Sequence, residues 1–545
     1  MVFYSILCYI NVMKSSFIVV LFFAGALCYS QETTPISDHE SEPEHKKFSL
    51  ETAINLAVEN NYDIKKQRYA LQIAHSQLLQ EKGATDIEAG VQAQYQYKQN
   101  PVDALDPNYQ YGYSWLSPNN DSGIYSNNTL TEQTAGSVFL KKLFSFGLET
   151  KLSYTIQRRK DKPNYSYGKN FDTKNLSKYE QENGRNNGEV TLELSLPLFK
   201  SFWNSLTSLQ IDAAKNYLDQ MEFALADTIS KQIINVTNLY WNYFLTYKNV
   251  EQLEILQKKI EERNKSMDSL IRAGVRSKND LLAMQVNVHE NRKQVQDAKI
   301  QHNQAKMELL TALGISDASI IGDPQDSFDE AELKSVEPPR SEELTNEIIN
   351  SIVENRNDLK ALKKHLDIAS LQVRLAKADS LPDANLNFGI GTTGTTYSDD
   401  TGKFFGSGFQ NNRGLNLSGS LSVSAKLGNH TKKGSVEKAE ADYNTALADY
   451  NKTKNTISVQ IQNAAEKLEI YKGLVRDADE DLKLNQNLYE NEQRRFTAGL
   501  ITVDNLLSQD QKYIAAKTSY YQVLINYMQA ILEFKYYTAN MVGIE

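Results

Sequence analysis

Seven histidines, two cysteines and 68 acidic residues are the chemically active stock of this 545-residue chain, and their spacing assembles no reaction centre. His39, His45, His75, His289, His302, His365 and His430 never fall four apart, so the His-Glu-x-x-His pattern that sets two imidazoles on one helical face around zinc is absent. Gly389-Ile390-Gly391 and Gly394 lie in a strand-like stretch with no helix start to receive a phosphate. Lys403 follows Gly402 but precedes Phe404, where a phosphate loop needs a hydroxyl. No Gly-x-Ser-x-Gly nucleophile turn occurs. Cys8 and Cys28 both sit in a leading apolar segment, which leaves the remainder without a disulfide, a thiolate metal site or a cysteine nucleophile. Most acidic residues fall on helix-like stretches, where a solvated face is expected. These residues imply a protein that is not an enzyme and holds no cofactor and no metal.

The bulk properties narrow the class further. A formal net charge of -9 argues against a basic nucleic-acid-binding surface. Beyond the N-terminus no run of about 18 apolar residues is present, as a spanning helix requires. The leading segment reads as a secretory signal over residues 1–30. Met13-Lys14-Ser15-Ser16 is a basic head, residues 17–27 are apolar, and small residues at Cys28 and Ser30 suit cleavage before Gln31. An uncleaved anchor is the alternative, disfavoured by the shortness of the run. Lipidation at Cys28 is another, disfavoured because Gly25-Ala26-Leu27 reverses the usual order of sizes. Residues 31–47 read as a flexible acidic lead-in.

The rest divides into two similar halves, residues 48–315 and 341–545, joined by a connector at 316–340. Val58-Glu59-Asn60-Asn61-Tyr62-Asp63-Ile64-Lys65 returns as Val353-Glu354-Asn355-Arg356-Asn357-Asp358-Leu359-Lys360. Ala273-Gly274 followed by Leu281-Leu282 returns as Ala498-Gly499 followed by Leu506-Leu507. Each half reads as helix, strands, a very long helix, a tight turn and a helix. Residues 49–82 and 341–379 are the first helices. Residues 200–272 and 429–497 are near-uninterrupted helical stretches, each about 105 Å long at 1.5 Å per residue. In the first, Ile233, Thr237, Tyr240, Phe244 and Tyr247, then Leu256, Ile260, Arg263, Met267 and Leu270, follow the 4-3 spacing of a coiled coil. Thr and Arg dilute that seam, which suits helices with neighbours on two sides better than one dry dimer core.

Strands are expected at about 87–98, 189–199, 384–393 and 414–426, where apolar and polar residues alternate, as in Val91-Gln92-Ala93-Gln94-Tyr95-Gln96. The polar face is mostly Gln, Asn, Ser and Thr, as suits a wet lumen. Unpaired strand edges in lipid cost several kcal/mol per backbone group, and membrane barrels begin at about eight strands. Four strands cannot close alone, so identical copies must share one wall, most simply by rotation. Residues 134–157 also alternate and are read as an additional hairpin above the membrane, with two more wall strands as the alternative. The Asn-, Tyr- and Ser-rich stretches 99–133 and 158–187 are expected as external loops.

At this point the chain resembles the TolC-like outer-membrane factors of efflux pumps and type I secretion, over about residues 48–545. The resemblance rests on the doubled plan, on Leu194-Ser195-Leu196-Pro197-Leu198-Phe199 leading from strand into long helix, and on the turns Ile271-Arg272-Ala273-Gly274-Val275 and Arg495-Phe496-Thr497-Ala498-Gly499-Leu500. It implies a mixed α+β membrane protein: a homotrimeric β-barrel in outer-membrane lipid, four strands per chain, continued by a helical coiled-coil tunnel into the periplasm. It implies a passive conduit meeting a periplasmic adaptor (membrane fusion) protein and an inner-membrane pump of RND or ABC type. Arg272, Gly274, Val275, Gly499 and Leu500 take the place of adaptor contacts at the tips. Asp280 takes the place of a gate residue after the first turn, with a solvated aspartate at a helix N-terminus, favoured by the helix dipole, as the alternative. Asp504, Asn505 and Ser508 take it after the second, a departure from a gate built of several aspartates. The competing functional reading is a structural or adhesive coiled-coil surface protein whose strands form a soluble head.

Overall fold

The computed structural model describes residues 48–101, 124–167, 185–201, 205–274, 276–325, 345–397, 404–409 and 412–538. The signal segment, the lead-in, Val275 and most of the connector lie outside the described residues.

Helices and strands follow in an order that runs nearly twice. The first half holds α1 (Leu50–Asn60), α2 (Tyr62–Gly83), β1 (Ile87–Pro101), β2 (Ile124–Leu143), β3 (Glu149–Tyr167), β4 (Arg185–Pro197), the short α3 (Leu198–Ser201), α4 (Leu206–Arg272) and α5 (Lys278–Leu313). A single 3-10 turn, Ala318–Ile320, follows. The second half holds α6 (Asn346–Asn355), α7 (Asn357–Ser380), β5 (Asp383–Tyr397), β6 (Asn412–Ser424), α8 (His430–Thr497) and α9 (Val503–Thr538).

Each expected first helix is broken once, at positions equivalent in the repeated motif. Asn61 leaves the helical region (φ -57°, ψ 130°), and its Oδ1 accepts from the backbone N–H groups of Asp63 and Ile64. Its Nδ2 donates to Ala312 O at 2.7 Å, near the end of α5. Arg356 (φ -71°, ψ 143°) breaks the second helix, pairs with Asp358 and donates to Tyr536 O at 2.9 Å, near the end of α9. The Asn61 cap satisfies N–H groups that its break exposes, and the long-range bonds satisfy carbonyls near the ends of α5 and α9.

The 67 residues of α4 and 68 of α8 correspond to about 100 Å each. Toward the sheet, α4 meets α2 and α7, with Gln67 against Met221 and Lys364 paired to Asp219 at 2.7 Å. Toward the tips it lies along α5 and α9. The 4-3 seam is largely buried as expected: Thr237, Tyr240, Phe244, Leu256, Ile260 and Met267 are all inside. Tyr240, Trp241 and Phe244 stack edge to face at 5.4 and 5.5 Å in a core shared with α1, α5 and α9. Full burial of each such side chain contributes about 1.5–3 kcal/mol.

All six strands form one antiparallel sheet in the order β1-β2-β3-β4-β5-β6. The sheet thus holds six strands where four and an additional hairpin over 134–157 were expected, and that hairpin is paired into it on both sides. Those residues belong to β2 and β3, which are longer than expected and lie between β1 and β4. Parts of the expected external loops, 124–133 and 158–167, are strand as well. Alternation reveals which face a side chain takes but not which strand is its neighbour, and backbone pairing decides the latter. β4 stops at Pro197, which has no N–H to donate, and Leu198-Phe199 turn into α3.

Candidate functional site

Residues directly opposite in the antiparallel register share a face, so the pairing sorts the sheet into two surfaces. One face carries Val91 and Ala89 of β1, Val138 and Leu140 of β2, Leu152 and Tyr154 of β3, Val190 and Leu192 of β4, Ile390 and Thr392 of β5, and Leu415 and Leu417 of β6. It is apolar and largely uncovered: Val91 is 73%, Leu140 49% and Leu417 62% exposed, while the 404–409 turn lies over Tyr154. The other face carries Gln92, Ser137, Ser153, Thr191, Gly391 and Asn416 in the same rows. It is bridged by the ion pairs Lys141–Glu149 at 3.2 Å and Lys151–Glu193 at 3.4 Å. An open groove lies against this polar face, lined by Glu88, Gln92, Lys141, Glu149, Lys151 and Thr155, so the sheet is concave on its polar side. A concave polar face backed by an open apolar one is the arrangement of a wall between water and hydrocarbon. A soluble head would cover its apolar face, so the adhesive reading gains nothing from this sheet.

Among the described residues, β1 and β6 each pair with one strand only. The sheet thus ends in two unmatched edges within a single chain. The junction between sheet and helices is charged: Lys200 of α3 pairs with Asp379 and Asp383, and Lys432 of α8 pairs with Asp379. Lys432 and Lys200 together hold the Asp379 carboxyl below its ordinary value of 3.8.

At the other end of the long helices the two tip turns lie side by side. The first leaves α4 through Arg272, which is exposed, and Gly274 at φ +71°, where nothing would meet an added Cβ. The second leaves α8 through Gly499 at φ +77°, with Leu500 70% exposed beyond it. Both glycines adopt the left-handed backbone that ends a helix at little cost only without a Cβ. Arg276 joins the turns. Its guanidinium donates to Ile501 O at 2.8 Å and Phe496 O at 3.0 Å, and it lies 4.4 Å from the Phe496 ring centre. Sequence reasoning missed Arg276, because its partners stand more than 200 residues away.

Asp280 sits at the third position of α5 in a reciprocal cap. Its Oδ2 accepts from the Ser277 N–H at 2.9 Å and from the Ser277 hydroxyl, while Ser277 Oγ accepts from the Asp280 N–H. This assigns the carboxylate a local structural task. Asp504, Asn505 and Ser508 are exposed on one face of α9, while Val503, Leu506 and Leu507 turn inward. Between the turns and the helices, Leu256, Ile260 and Met267 of α4 pack with Met284 and Val288 of α5 and Val503 and Leu507 of α9. Just inside this cluster Arg263, a seam position, forms an ion pair with Asp510, and its Nη2 also lies 3.5 Å from Tyr489 Oη. Burial pushes the Asp510 carboxyl up, and Arg263 offsets this only in part. Among the described residues no helix is long and apolar enough to cross a membrane, and no cluster of three His, Cys, Asp or Glu residues is placed to hold a metal ion.

Residues 151–315 and 348–533, more than half of the chain, match the family model described as outer membrane efflux protein. None of the curated proteins matches the chain by sequence. Among solved structures, the Campylobacter jejuni CmeC outer membrane channel superposes with a TM-score of 0.61 at 14% identity, over 94% of this chain and 94% of that one. The Vibrio cholerae outer membrane protein VceC gives 0.58 at 14% identity, over 90% of this chain and 95% of that one. The open state of the Neisseria gonorrhoeae MtrE outer membrane channel gives 0.59 at 13% identity, over 90% and 88%. At such identities the likeness shows the fold alone; the family match carries the assignment. The chain belongs to the outer membrane efflux protein family and is a channel component of the outer membrane.

Proposed function

We propose that three copies of this chain join their sheets into one closed barrel and continue it with their helices as a passive tunnel for efflux, powered by an inner-membrane pump of RND or ABC type through a periplasmic adaptor. The observation that carries this reading is the largely uncovered apolar face ending in two unmatched strand edges. Such a sheet cannot rest in hydrocarbon as a single copy, because open edges leave backbone groups unsatisfied. Rotation of identical copies about one axis supplies every edge with a partner. The tips then form the adaptor-facing end, with Leu500 and Arg272 as the exposed contacts beside Gly274, Val275 and Gly499. Three-fold symmetry repeats Asp280, Asp504, Asn505 and Ser508 around the narrow end, and the carboxylates bias it toward cations.

The reading is tested by purifying the chain in detergent, measuring the mass of the complex, and recording conductance in planar bilayers. A three-copy complex that conducts supports it. A detergent-free soluble monomer without conductance overturns it. In the same recordings, Asp504→Asn and Asp280→Asn should weaken block by added divalent cations. Unchanged block would remove these residues from the gate while leaving the channel reading intact.

A further inference from the structure

The β2–β3 hairpin has the geometry of wall, not of ornament. Its register with β1 runs from Ile87↔Lys142 to Pro101↔Asn128, and with β4 from Glu149↔Ser195 to Arg159↔Arg185. It therefore stands between β1 and β4 over their whole paired length. Its closed end, residues 144–148, faces the helices: Ser205, which caps the start of α4, donates through Oγ to Ser145 O. Its open end lies on the side away from the helices, and long stretches of sequence separate its strands from β1 and β4 there. Short turns at the periplasmic end and long connections at the outer end are the polarity of barrel hairpins. A hairpin perched above the membrane would have no reason to reach α4.

Side chains fasten it there. Gly90 of β1 leaves its place to the Phe139 ring, which an added Cβ would strike at 2.3 Å, so β1 and β2 are shaped for each other on the polar face. Lys151 of β3 lies 5.9 Å from that ring. On the apolar face, Val138 and Leu152 continue the rows of Val91 and Leu192. The turn at 404–409, between β5 and β6, crosses β4 to lay Phe409 5.3 Å from Tyr154, with Gly188 and Gly408 in contact beneath it. Phe405 and Phe409 stay 63% and 71% exposed, as in the aromatic girdles that mark where a barrel leaves hydrocarbon.

From this the geometry points to a barrel in which every copy contributes six lipid-facing strands, so that the three-copy assembly has eighteen strands in place of twelve. It rests on the three-copy channel reading above. Six is even, so β1 and β6 run in opposite directions, and each edge meets the neighbouring copy antiparallel. Because barrel diameter grows roughly linearly with strand number, the wall encloses a cylinder about 1.5 times wider than twelve strands would. The added inner surface is polar and charged, with Lys141, Glu149 and Lys151 facing the lumen.

The test is site-directed spin labelling in liposomes, with Cys8 and Cys28 replaced by Ala. Single cysteines are placed at Val138 and Leu152, at Ser137 and Ser153, and at Phe388 of β5 as reference. Oxygen and a water-soluble nickel chelate report lipid and water contact. An eighteen-stranded wall gives Val138 and Leu152 the high oxygen-to-nickel ratio of Phe388, and gives Ser137 and Ser153 low ratios. Low ratios at Val138 and Leu152 with a high ratio at Phe388 would overturn the inference and leave a narrower three-copy barrel standing. Low ratios at all five would sink the channel reading itself. All three apolar sites are more than 40% exposed in the single chain, so a label fits, and an intact three-copy band on a gel controls for folding.

Discussion

Replacing Arg263 by Met strands the carboxylate of Asp510, and the cost follows from burial. The Asp510 side chain is 2% exposed and that of Arg263 14%, so neither charge is well hydrated. Removing one partner of a buried pair costs about 3–5 kcal/mol, and protonation of Asp510, already eased by its raised pKa, sets the loss near about 3 kcal/mol. At about 1.4 kcal/mol per factor of ten, amide exchange in the neighbouring turns of α4 and α9 should quicken by roughly 100-fold. Hydrogen exchange read by mass spectrometry over residues 256–272 and 503–515 measures this. The double variant Arg263→Met with Asp510→Leu should recover protection to within about 1 kcal/mol, since an apolar pair of similar volume replaces a buried ion pair at little cost. The sign with pH is fixed. The folded state holds the Asp510 proton more tightly than the unfolded state, so this group favours folding below its ordinary value of 3.8 and loses that contribution as pH rises through the raised value. The defect of the single variant therefore shrinks on acidification. Unchanged exchange in Arg263→Met, or a double variant worse than the single, would refute the reasoning.

Arg276→Ala removes two charge-assisted bonds and a ring contact, a loss of roughly 2 kcal/mol, and should broaden the distance distribution between spin labels at Arg272 and Leu500; an unchanged distribution would show that the turns are held by other contacts. Gly274→Val and Gly499→Val force a branched side chain to positive φ at about 1–2 kcal/mol each, whereas Gly434→Ala, in open space on α8, should stabilise by about 0.5–1 kcal/mol; helical unfolding followed by circular dichroism ranks the three. Asp379, held below 3.8 by Lys432 and Lys200, favours the folded junction above that value and loses the contribution as pH falls through its lowered one, so acid should loosen the sheet–helix junction, and Asp379→Asn should flatten that part of the stability profile.

What the residues disclosed, and what they withheld, divides along physical lines. Alternation in Val91–Tyr97 and Leu415–Val423 and the 4-3 seam of α4 are local periodicities, and an apolar face can be read from them directly. The two tip glycines were legible because positive φ leaves few alternatives to glycine. The helix breaks were not, although the repeated motif covered both: Asn61 and Arg356 are neither glycine nor proline, and the groups that stabilise the breaks come from Ala312 and Tyr536. Likewise the faces of β2 and β3 were read in part, but their place between β1 and β4 was not, since pairing is settled by register and turn position and not by composition. Asp280 was placed beside a gate by resemblance. Ser277, three residues earlier, was the local signal that it also caps a helix.

The central claim is that the edges β1 and β6 meet between copies. Gln92 of β1 and Asn416, Ser418 and Ser420 of β6 all face the polar side, so chains carrying Gln92→Cys with one of these three sites as Cys can be oxidised in native membranes. The account predicts that one of the three pairings yields a covalent ladder between chains that stops at three copies. Disulfides confined within single chains, or a ladder running on without limit, would contradict it.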